Sequence, residues 1–383
     1  MKIAALVSGG VDSSVALALL KEQGHDVTAF YLKIWLEDEL QFLGECPWEE
    51  DLKYVEAVCK QLSVPLQILN LQKEYFELVV NYAINEVKNG RTPNPDMFCN
   101  ARIKFGIFYD KIDRSFQKIA TGHYADTEMI IDKKTGTKKT YLCRVPDQIK
   151  DQTYFLAHIS QEQAARALFP IGKYKKNEVR ELAKKFDLPN KDRKDSQGIC
   201  FLGKIKYNDF LKQYFGEKPG DFVDVNTGKV VGEHKGHFYH TVGQRKGTGL
   251  GQGPWYVVRK DIAKNIVYVS NKYQEDAEKV KPRNNFFVGE LNWIADRPTT
   301  NNLKVKVRHG PQTYNCTIKD VAKDFNEKDR KKKNKADDIL EVTIDGQDQG
   351  LAPGQFAVFY DERYCYGCGV ILDDVKSNHK GDS

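Results

Sequence analysis

The sequence lacks the features of a secreted or membrane-spanning protein. None of its apolar runs reaches the roughly 18 consecutive residues that a membrane-crossing helix needs. The chain opens with MKIAALVSGG, which has no basic segment of the signal-peptide type. We therefore expect a cytoplasmic protein, or one of an organellar stroma or matrix if a transit peptide has been removed.

Cysteine is also scarce, with eight residues at irregular spacing in 383 positions. This excludes a disulfide scaffold and indicates a reducing compartment, in which a catalytic disulfide would be transient. Cys365 and Cys368 have CxxC spacing but no second pair, so packing within a strand is the expected role. His234, His237 and His240 lie close together in the sequence, yet no carboxylate or cysteine completes a metal site with them. We expect no zinc.

Arginine is absent from the first 60 residues, where five Lys and eleven acidic residues give a formal charge of −6. The rest of the chain carries +12, so that part suits a polyanionic partner. The overall charge of +6 is common in cytosolic enzymes and does not by itself establish nucleic-acid binding.

The first half of the sequence alternates short apolar runs with helical periodicity. Strands are predicted at 2–7, 27–34, 66–71 and 118–121, and helices at 13–23, 49–62, 75–87, 102–108, 161–168 and 176–186. This order predicts a doubly wound α/β domain with a parallel sheet. We place it at residues 1–205.

From about Phe222 the sequence changes to short β-type runs rich in Gly and Pro, without internal repeats. We expect a small central β-rich domain at 206–281 that contacts RNA, and a C-terminal β-barrel domain at 282–383. The barrel strands are predicted at 286–290, 303–307, 313–318, 340–344, 355–360 and 367–372. The Lys-rich insertion at 323–338 is either a disordered hairpin loop or an RNA-contacting arm.

The segment SGGVDSS at 8–14 falls between the first strand and the first helix, where open α/β sheets bind ligands. Its glycines allow close approach of a phosphate, and the serines and helix amides supply donors. Asp12 among phosphates is best explained by a shared Mg²⁺. The lysine of the GxxxxGKS loop is missing. The pattern instead resembles the PP-loop of the N-type ATP pyrophosphatases, which cleave ATP between the α and β phosphates.

Two cysteines have neighbours that suit chemistry. Cys99 follows Pro93 and Pro95 near an expected helix N-terminus, where a thiolate is favoured. Asp96 precedes it by three residues and is either a general acid or base for the same substrate atom or a helix cap. Cys200 lies in the polar segment KDSQGICFLG, so a working thiol competes there with ordinary buried packing.

Eight motifs occur in order along nearly the whole chain: SGGVDSS (8–14), NPDMFCNARIKF (94–105), GHYA (122–125), KDQTYFL (150–156), FPIGKYKKNEVR (169–180), DSQGICFLG (195–203), HTVGQRKG (240–247) and PGQFAVFY (353–360). Together they resemble the bacterial and organellar tRNA-specific 2-thiouridylase family. The resemblance implies that ATP adenylates the C2 oxygen of a wobble uridine and that a cysteine persulfide then delivers sulfur.

In that reading the resemblance makes Cys200 the persulfide carrier, Cys99 the thiol that resolves it through a Cys99–Cys200 disulfide, and Asp96 the acid or base. The implied ATP contacts are Leu6, Val7, Ser8, Gly9, Gly10, Val11, Asp12, Ser13, Leu32 and Gly122. The implied tRNA contacts are Asn94, Pro95, Asp96, His123, Lys150, Asp151, Gln152, Arg308, His309 and Gln355. His309 stands where the family pattern leads us to expect Tyr, although imidazole also stacks on bases.

The implied partners are the anticodon loops of tRNAs for Lys, Glu and Gln and a persulfide-donating carrier or cysteine desulfurase, with the protein as a monomer. Arg245 and Lys246, between glycines, form either a phosphate-contacting turn or a solvated β-turn. Two other functions remain as alternatives. One is an amide-forming synthetase with the same loop, which needs no thiol pair, and the other is an RNA-binding module that retains nucleotide only structurally.

Overall fold

A computed structural model describes residues 1–34, 48–131, 133, 136–195, 207–251, 253–271, 284–321, 338–348 and 350–372. Within these ranges no helix is long and apolar enough to cross a membrane.

The N-terminal domain is built on a five-stranded parallel sheet in the order β3-β2-β1-β4-β7. Its strands are β1 (Lys2–Leu6), β2 (Asp26–Lys33), β3 (Leu66–Asn70), β4 (Lys118–Ala120) and β7 (Ala167–Leu168). The apolar side chains of β1 and β2 are buried, as expected for strands covered on both faces. The predicted parallel α/β domain is confirmed.

Helices connect these strands and cover the sheet. The longer ones are Val11–Glu22, Trp48–Gln61, Asn81–Lys88 and Lys176–Lys185, with Gln161–Arg166 before β7. Val15, Leu17 and Leu19 of the first helix are buried in one of the two cores of this domain. The second core lies on the other side and includes Tyr75, Phe108 and Cys99.

Two predicted boundaries were wrong. The helix expected at 102–108 begins at Pro95 and runs through Pro95–Phe98, Cys99–Ile107 and Phe108–Lys111, with the middle stretch in π geometry. Proline suits the first helical position because it has no N–H to satisfy there. The helix expected at 161–168 ends at Arg166, because the next two residues pair with β4.

A hairpin was not predicted at all. It consists of β5 (Asp126–Ile131) and β6 (Lys138–Cys143), and it extends from the N-terminal domain to pair with the last strand of the barrel.

The central domain has a four-stranded sheet in the order β10-β11-β8-β9, and helix Tyr207–Phe215 precedes it in the chain. Its strands are β8 (Gly220–Asp224), β9 (Val230–His234), β10 (Tyr256–Asp261) and β11 (Ile266–Ser270). Phe222, Trp255 and Val257 form part of a small separate core. This matches the predicted β-rich domain.

The C-terminal domain is a closed six-stranded barrel, as predicted, because β12 pairs with both β15 and β17. The strands are β12 (Asn285–Trp293), β13 (Asn302–Lys306), β14 (Tyr314–Asp320), β15 (Leu340–Ile344), β16 (Phe356–Tyr360) and β17 (Tyr364–Ile371). Residues 322–337 of the Lys-rich insertion lie outside the described part of the chain.

Candidate nucleotide and thiol site

The loop after β1 is shaped to present backbone donors. Gly9 has φ +75°, and a Cβ atom there would lie 2.6 Å from the carbonyl oxygen of Asp51. Ser13 Oγ accepts a hydrogen bond from the Ser8 amide (3.2 Å) and donates one to the Gly10 carbonyl (3.0 Å). These bonds hold the turn tightly against the N-terminus of helix Val11–Glu22, where the amides favour an anion.

Gly122 follows β4 and packs directly on the same helix start. A Cβ atom at Gly122 would lie 2.6 Å from the Ser13 amide nitrogen. Leu6 ends β1 and Leu32 lies near the end of the adjacent β2, in a parallel register that pairs Leu6 with Phe30. The structure therefore gathers the predicted nucleotide contacts at one edge of the sheet, the edge formed by the carboxyl ends of its strands.

Asp12 forms an ion pair with Lys176, a residue that the sequence analysis did not single out. Lys176 Nζ donates to both Asp12 oxygens, at 2.8 and 2.9 Å, and also lies 2.8 Å from Asp195 Oδ1. Tyr124 adds a hydroxyl donor to Asp12 at 3.1 Å. One ammonium group therefore joins the predicted ATP loop to Asp195, which belongs to the sequence motif that contains Cys200.

Asp195 is surrounded by further positive charge. Lys150 Nζ lies 3.2 Å from its Oδ2, and Arg180 donates to its Oδ1. Partial burial acts to raise the pKa of Asp195, but the hydrogen bonds from Lys176 and Lys150 outweigh it and lower the pKa to about 2. Asp195 is thus an anion at all physiological pH values.

Two more residues that the sequence did not single out support the loop. Asn190 donates to the Gly9 carbonyl (2.8 Å) and to Ser14 Oγ (2.9 Å), and Arg193 donates to the same carbonyl at 3.0 Å. Their contacts span more than 170 positions, so local pattern could not reveal them. For Lys176 a weak signal existed, because it lies within the motif at 169–180.

The donor set at the loop fits Mg²⁺ held together with phosphate. Asp12 keeps 31% of its side chain exposed and supplies one carboxylate, which is the usual protein share in a magnesium–nucleotide site. In the described ranges no three His, Cys, Asp or Glu side chains come together as a metal site. Asp12 would therefore hold the ion only with the phosphate oxygens of a nucleotide.

Cys99 and Asp96 lie on successive turns of one helix. Cys99 is 1% exposed and belongs to the core on that side of the sheet. The Oδ1 atom of Asp96 is buried and has no hydrogen-bond partner among the described residues. A buried carboxylate oxygen without a hydrogen-bond partner destabilises the fold. It therefore marks a position where a substrate group could donate a hydrogen bond. Cys200 lies outside the described residues, and its predicted role stays a prediction.

The five other described cysteines are poorly suited to nucleophilic chemistry. Burial raises the pKa of Cys59 to about 11 and the pKa of Cys143 and Cys316 to about 12. It also raises the pKa of Cys365 and Cys368, which are buried on β17. Thiolates at these five positions are strongly disfavoured.

The barrel reaches the segment that leads into the Asp96 helix. Gln355 Nε2 donates to the carbonyls of Thr92 (3.3 Å) and Pro93 (3.2 Å), and the Thr92 amide donates to the carbonyl of Pro353 (2.8 Å). The Asn94 amide donates to the Tyr82 hydroxyl at 3.4 Å. The loop before Asp96 is thus held from two sides.

His309 lies on the barrel close to this helix. Its ring packs on Phe155 with centroids 4.5 Å apart and planes inclined by 33°. Burial and the charge of Lys306 lower the pKa of His309, while the carboxylates of Asp151 and Asp96 act to raise it. His309 therefore stands near Asp96 as a neutral imidazole, with the expected capacity to stack on a base.

Several other predicted tRNA contacts have internal partners. Asp151 is 1% exposed and accepts hydrogen bonds from the Thr153 amide (2.9 Å) and from Arg144 Nε (3.5 Å). Gln152 exchanges two hydrogen bonds with the backbone of Tyr124, at 2.9 and 3.0 Å. Gln152 thereby positions the 122–125 segment, whereas Asp151 holds the start of the helix at Thr153.

His123 and Arg308 are likewise held within the protein. His123 Nδ1 lies 2.8 Å from Thr121 Oγ1, and burial together with the Lys104 charge keeps the pKa of His123 well below its usual range. Arg308 forms an ion pair at 2.8 Å with the fully buried carboxylate of Asp348. The guanidinium side chain remains 48% exposed, so it can still meet a phosphate.

A parallel α/β domain with a PP-loop between its first strand and helix, followed by a small β domain and a closed barrel, defines a PP-loop protein with two appended β domains. Family models match all three parts: a tRNA methyl transferase HUP domain at 1–204, a tRNA methyl transferase PRC-barrel domain at 208–271 and an aminomethyltransferase beta-barrel domain at 283–371.

Curated relatives are similar over their full length. The tRNA-specific 2-thiouridylase MnmA of Parabacteroides distasonis is 45% identical over 98% of this chain and 100% of that protein. The enzyme of the same name from Porphyromonas gingivalis is 43% identical, with 97% and 99% covered, and MnmA 2 of Bacteroides fragilis is 44% identical, with 97% and 100% covered. The chain belongs to the tRNA-specific 2-thiouridylase family.

Solved structures resemble the chain more remotely. The U34-tRNA thiolase NcsA from Methanococcus maripaludis is 17% identical and aligns with 56% of this chain and 67% of that one, with a TM-score of 0.33.

Proposed function

We propose that this protein is a tRNA uridine 2-sulfurtransferase that uses ATP to activate the C2 oxygen of a wobble uridine and then replaces that oxygen with sulfur. Full-length similarity to 2-thiouridylases is the observation that carries the proposal. The site supports it because a phosphate-type loop with Asp12 and a helix bearing Asp96 and Cys99 occur in the same domain.

In the activation step the uridine C2 oxygen attacks the α phosphorus of ATP and pyrophosphate leaves. The amides at the start of helix Val11–Glu22 and the hydroxyls of Ser8 and Ser13 bind phosphate oxygens. Mg²⁺ bound with Asp12 would neutralise phosphate charge. Lys176, which pairs with Asp12, would also supply a positive charge to the polyphosphate.

In the sulfur-transfer step Cys200 carries a persulfide. The Cys99 thiolate attacks the Cys200 sulfur, which forms the Cys99–Cys200 disulfide and releases hydrosulfide. Hydrosulfide attacks C2, AMP leaves with the former C2 oxygen, and Asp96 takes up the proton. A cellular dithiol must then supply the two electrons that reduce the disulfide before a new persulfide is loaded.

The proposal includes partners and organisation. The tRNA substrates are those that read Lys, Glu and Gln codons, and a persulfide-donating carrier or cysteine desulfurase loads Cys200. The protein works as a cytoplasmic monomer with divisions at 1–205, 206–281 and 282–383. Support for RNA as partner comes from the charge of +12 after residue 60.

The test uses purified full-length protein, ATP with Mg²⁺, a persulfide donor and unmodified tRNA of the Lys, Glu or Gln type. Wild type is expected to form 2-thiouridine and AMP in equal amounts, measured by mass spectrometry and nucleotide chromatography. Cys99→Ser should form less than about 1% of the thiolated product, since no other thiol replaces the resolving cysteine. Asp96→Asn should lose about 100-fold or more in rate, the usual contribution of a general acid or base.

Cys59→Ser is the matched control, because Cys59 is also buried in the N-terminal domain but lies on helix Trp48–Gln61. It should retain wild-type activity. Full thiolation by Cys99→Ser would overturn the assigned roles. Formation of AMP with an amino-acid acceptor and without tRNA would overturn the proposed activity.

A further inference from the structure

A cavity of about 450 Å³ lies between the N-terminal and central domains. Its volume falls within the range of small-molecule sites, and domain interfaces are where such sites are common. The end of helix Asn81–Lys88 and the segment after it form one wall, and the turn around Phe238 and the 244–247 segment form the other. The site exists only because the two domains pack together.

The cavity borders the segment that carries the candidate acid or base. Pro93 and Pro95 both line it, and they flank Asn94 and precede Asp96. The hydrogen bonds from Gln355 fix the backbone at Thr92 and Pro93. A ligand in this cavity therefore contacts the segment that leads directly into Asp96.

Aromatic side chains supply flat surfaces in the cavity wall. Tyr207, Phe238 and Tyr239 line it, and all three are partly buried. The Phe238 ring packs against Phe215 with centroids 5.1 Å apart, and the Tyr239 hydroxyl donates to the Gly216 carbonyl at 2.8 Å. Rings held in this way are suitable platforms for a base.

The charge of the wall favours an anion. Arg91, Lys246 and Lys260 line the cavity, and none of the described lining residues is acidic. Arg91 is ion-paired with Glu86, so the charge offered to a ligand comes from the two lysines. Lys260 donates to the His240 carbonyl at 3.0 Å, whereas Lys246 is exposed to solvent. His240 also lines the cavity, is 6% exposed, and has a buried Nδ1 without a hydrogen-bond partner in the described structure.

We propose that this cavity binds one nucleotide of single-stranded RNA, the neighbour of the target uridine, with its base on the aromatic wall and its phosphate at Lys246. Aromatic surface and cationic charge without acidic residues are what a base plus a phosphate require. The inference rests on the proposed function, because it takes the RNA at Asp96 as given. It makes the central domain part of substrate recognition beside the target base.

Binding of an unmodified anticodon stem-loop RNA by the full-length protein tests the phosphate contact. Lys246→Glu should weaken binding about five- to tenfold at 0.1 M salt and lower the slope of log affinity against log salt by about one. Lys229→Glu is the matched control, because Lys229 is also an exposed lysine of the central domain but does not line the cavity. It should change binding less than about twofold. Equal effects of the two variants would overturn the proposal.

Photocrosslinking tests the base contact. Stem-loops with 4-thiouridine at a single position next to the target should crosslink to Tyr207, Phe238 or Tyr239, as mapped by mass spectrometry of peptides. Phe238→Leu keeps an apolar side chain but removes the ring, and it should weaken binding about fivefold. Crosslinks from both neighbouring positions that all map elsewhere would overturn the proposal.

Two further measurements separate the alternatives. Titration with free AMP or UMP should show no difference between wild type and Lys246→Glu, whereas a loss confined to free nucleotide would make the cavity a mononucleotide site and overturn the RNA assignment. Thiolation by the wild-type protein is measured in parallel. Its absence counts against the proposed function, while normal thiolation with unaltered binding by Lys246→Glu counts against the cavity alone.

Discussion

At the scale of single residues, Lys176 compensates the negative charge of Asp12 in the nucleotide loop. Its ammonium group lies between Asp12 and Asp195 and is 17% exposed. Without it, two carboxylates would face each other across the entrance of a phosphate site, and both would repel a triphosphate. A nearly buried lysine between two acids therefore prepares the site for an anion.

Replacing Lys176 by Met should raise the KM for ATP about tenfold or more, because one charge-assisted contact to the polyphosphate is lost and Asp12 is left uncompensated. The KM and kcat of tRNA-dependent AMP formation are the measurement. Lys184→Met is the control, since Lys184 is on the same helix, is 58% exposed and pairs only with Glu181 among the described residues. An unchanged KM in Lys176→Met would contradict this role.

The sequence pattern was sufficient to predict the nucleotide loop but not the residues that hold it in place. SGGVDSS can be recognised because phosphate binding by backbone imposes a local spacing. Lys176 and Asn190 act on Asp12 and Gly9 across 164 and 181 positions, and only the folded chain brings those pairs together. For Asp151 and Gln152 a motif predicts RNA contacts, and the fold adds internal hydrogen bonds that the motif did not indicate.

At the scale of elements, the end of β9 and the turn that follows it contain three histidines that stabilise the central domain only when neutral. His234, His237 and His240 are 5–6% exposed, and the rings of His234 and His240 lie on Phe222. Burial, aided by nearby charges that include Lys260, lowers the pKa of His237 and of His240 to about 4, and burial also lowers the pKa of His234. All three rings are packed in the interior of the central domain.

The central domain should therefore lose stability in mild acid. The folded-state pKa lies below the unfolded value of about 6.5, so the unfolded chain takes up protons first as the pH falls. Stability is complete above about pH 6.5 and decreases toward pH 4. At pH 5.5 each of His237 and His240 should cost about 1 kcal/mol. Hydrogen exchange of the β8 and β11 amides between pH 7 and 5.5, corrected for intrinsic rates, measures this.

His237→Gln should reduce the pH dependence, because an amide does not titrate, whereas His25→Gln in the N-terminal domain should leave it unchanged. An equal slope in wild type and His237→Gln would show that other groups control the acid response. The sequence indicated strands in this region but not the buried cluster, because solvent exposure of a histidine depends on how the sheet folds back on itself.

The unpredicted hairpin of β5 and β6 has a similar explanation. Its sequences, DTEMII and KKTYLC, mix charged and apolar residues without a clear period of two, since most of β5 is not buried. The early start of the helix at Pro95 was missed because two prolines suggested an extended chain. Buried parallel strands were easier, since their apolar runs are continuous.

At the scale of the whole molecule, the barrel acts as a support for the segment that carries Asp96. Gln355 contributes two hydrogen bonds to backbone carbonyls of that segment. Gly354 lies so close that a Cβ atom there would be 2.9 Å from the Thr92 carbonyl oxygen. Such close contact fixes the segment before Asp96 against a domain whose residues come more than 250 positions later.

Gln355→Ala should lower kcat for thiolation about five- to tenfold, because loss of two hydrogen bonds, each worth about 1 kcal/mol, releases the segment before Asp96. The separate measurement of kcat and of tRNA affinity decides its role. A loss of affinity with unchanged kcat would instead make Gln355 a direct RNA contact. Gln347→Ala, at an exposed position of the same domain, is the control and should behave as wild type.

Three domains could be predicted because helical periodicity gives way to short β-type runs along the sequence. The six short strands at the end of the chain predicted a barrel. The contacts between the domains could not be predicted, because neither local sequence shows that Gln355 and Pro93 come together. The cavity between the N-terminal and central domains belongs to the same class of feature.

The pairing of β6 with β17 also affects how the protein is made. The hairpin is synthesised early, yet Tyr364, which donates a hydrogen bond to Glu128, follows it by 236 positions. At about 5 to 20 residues per second, a ribosome needs roughly 10 to 50 s to reach the missing strand. During that interval the edge of β6 is open to pairing with other nascent chains. Yield of native protein should therefore depend on how cells shield this edge during translation.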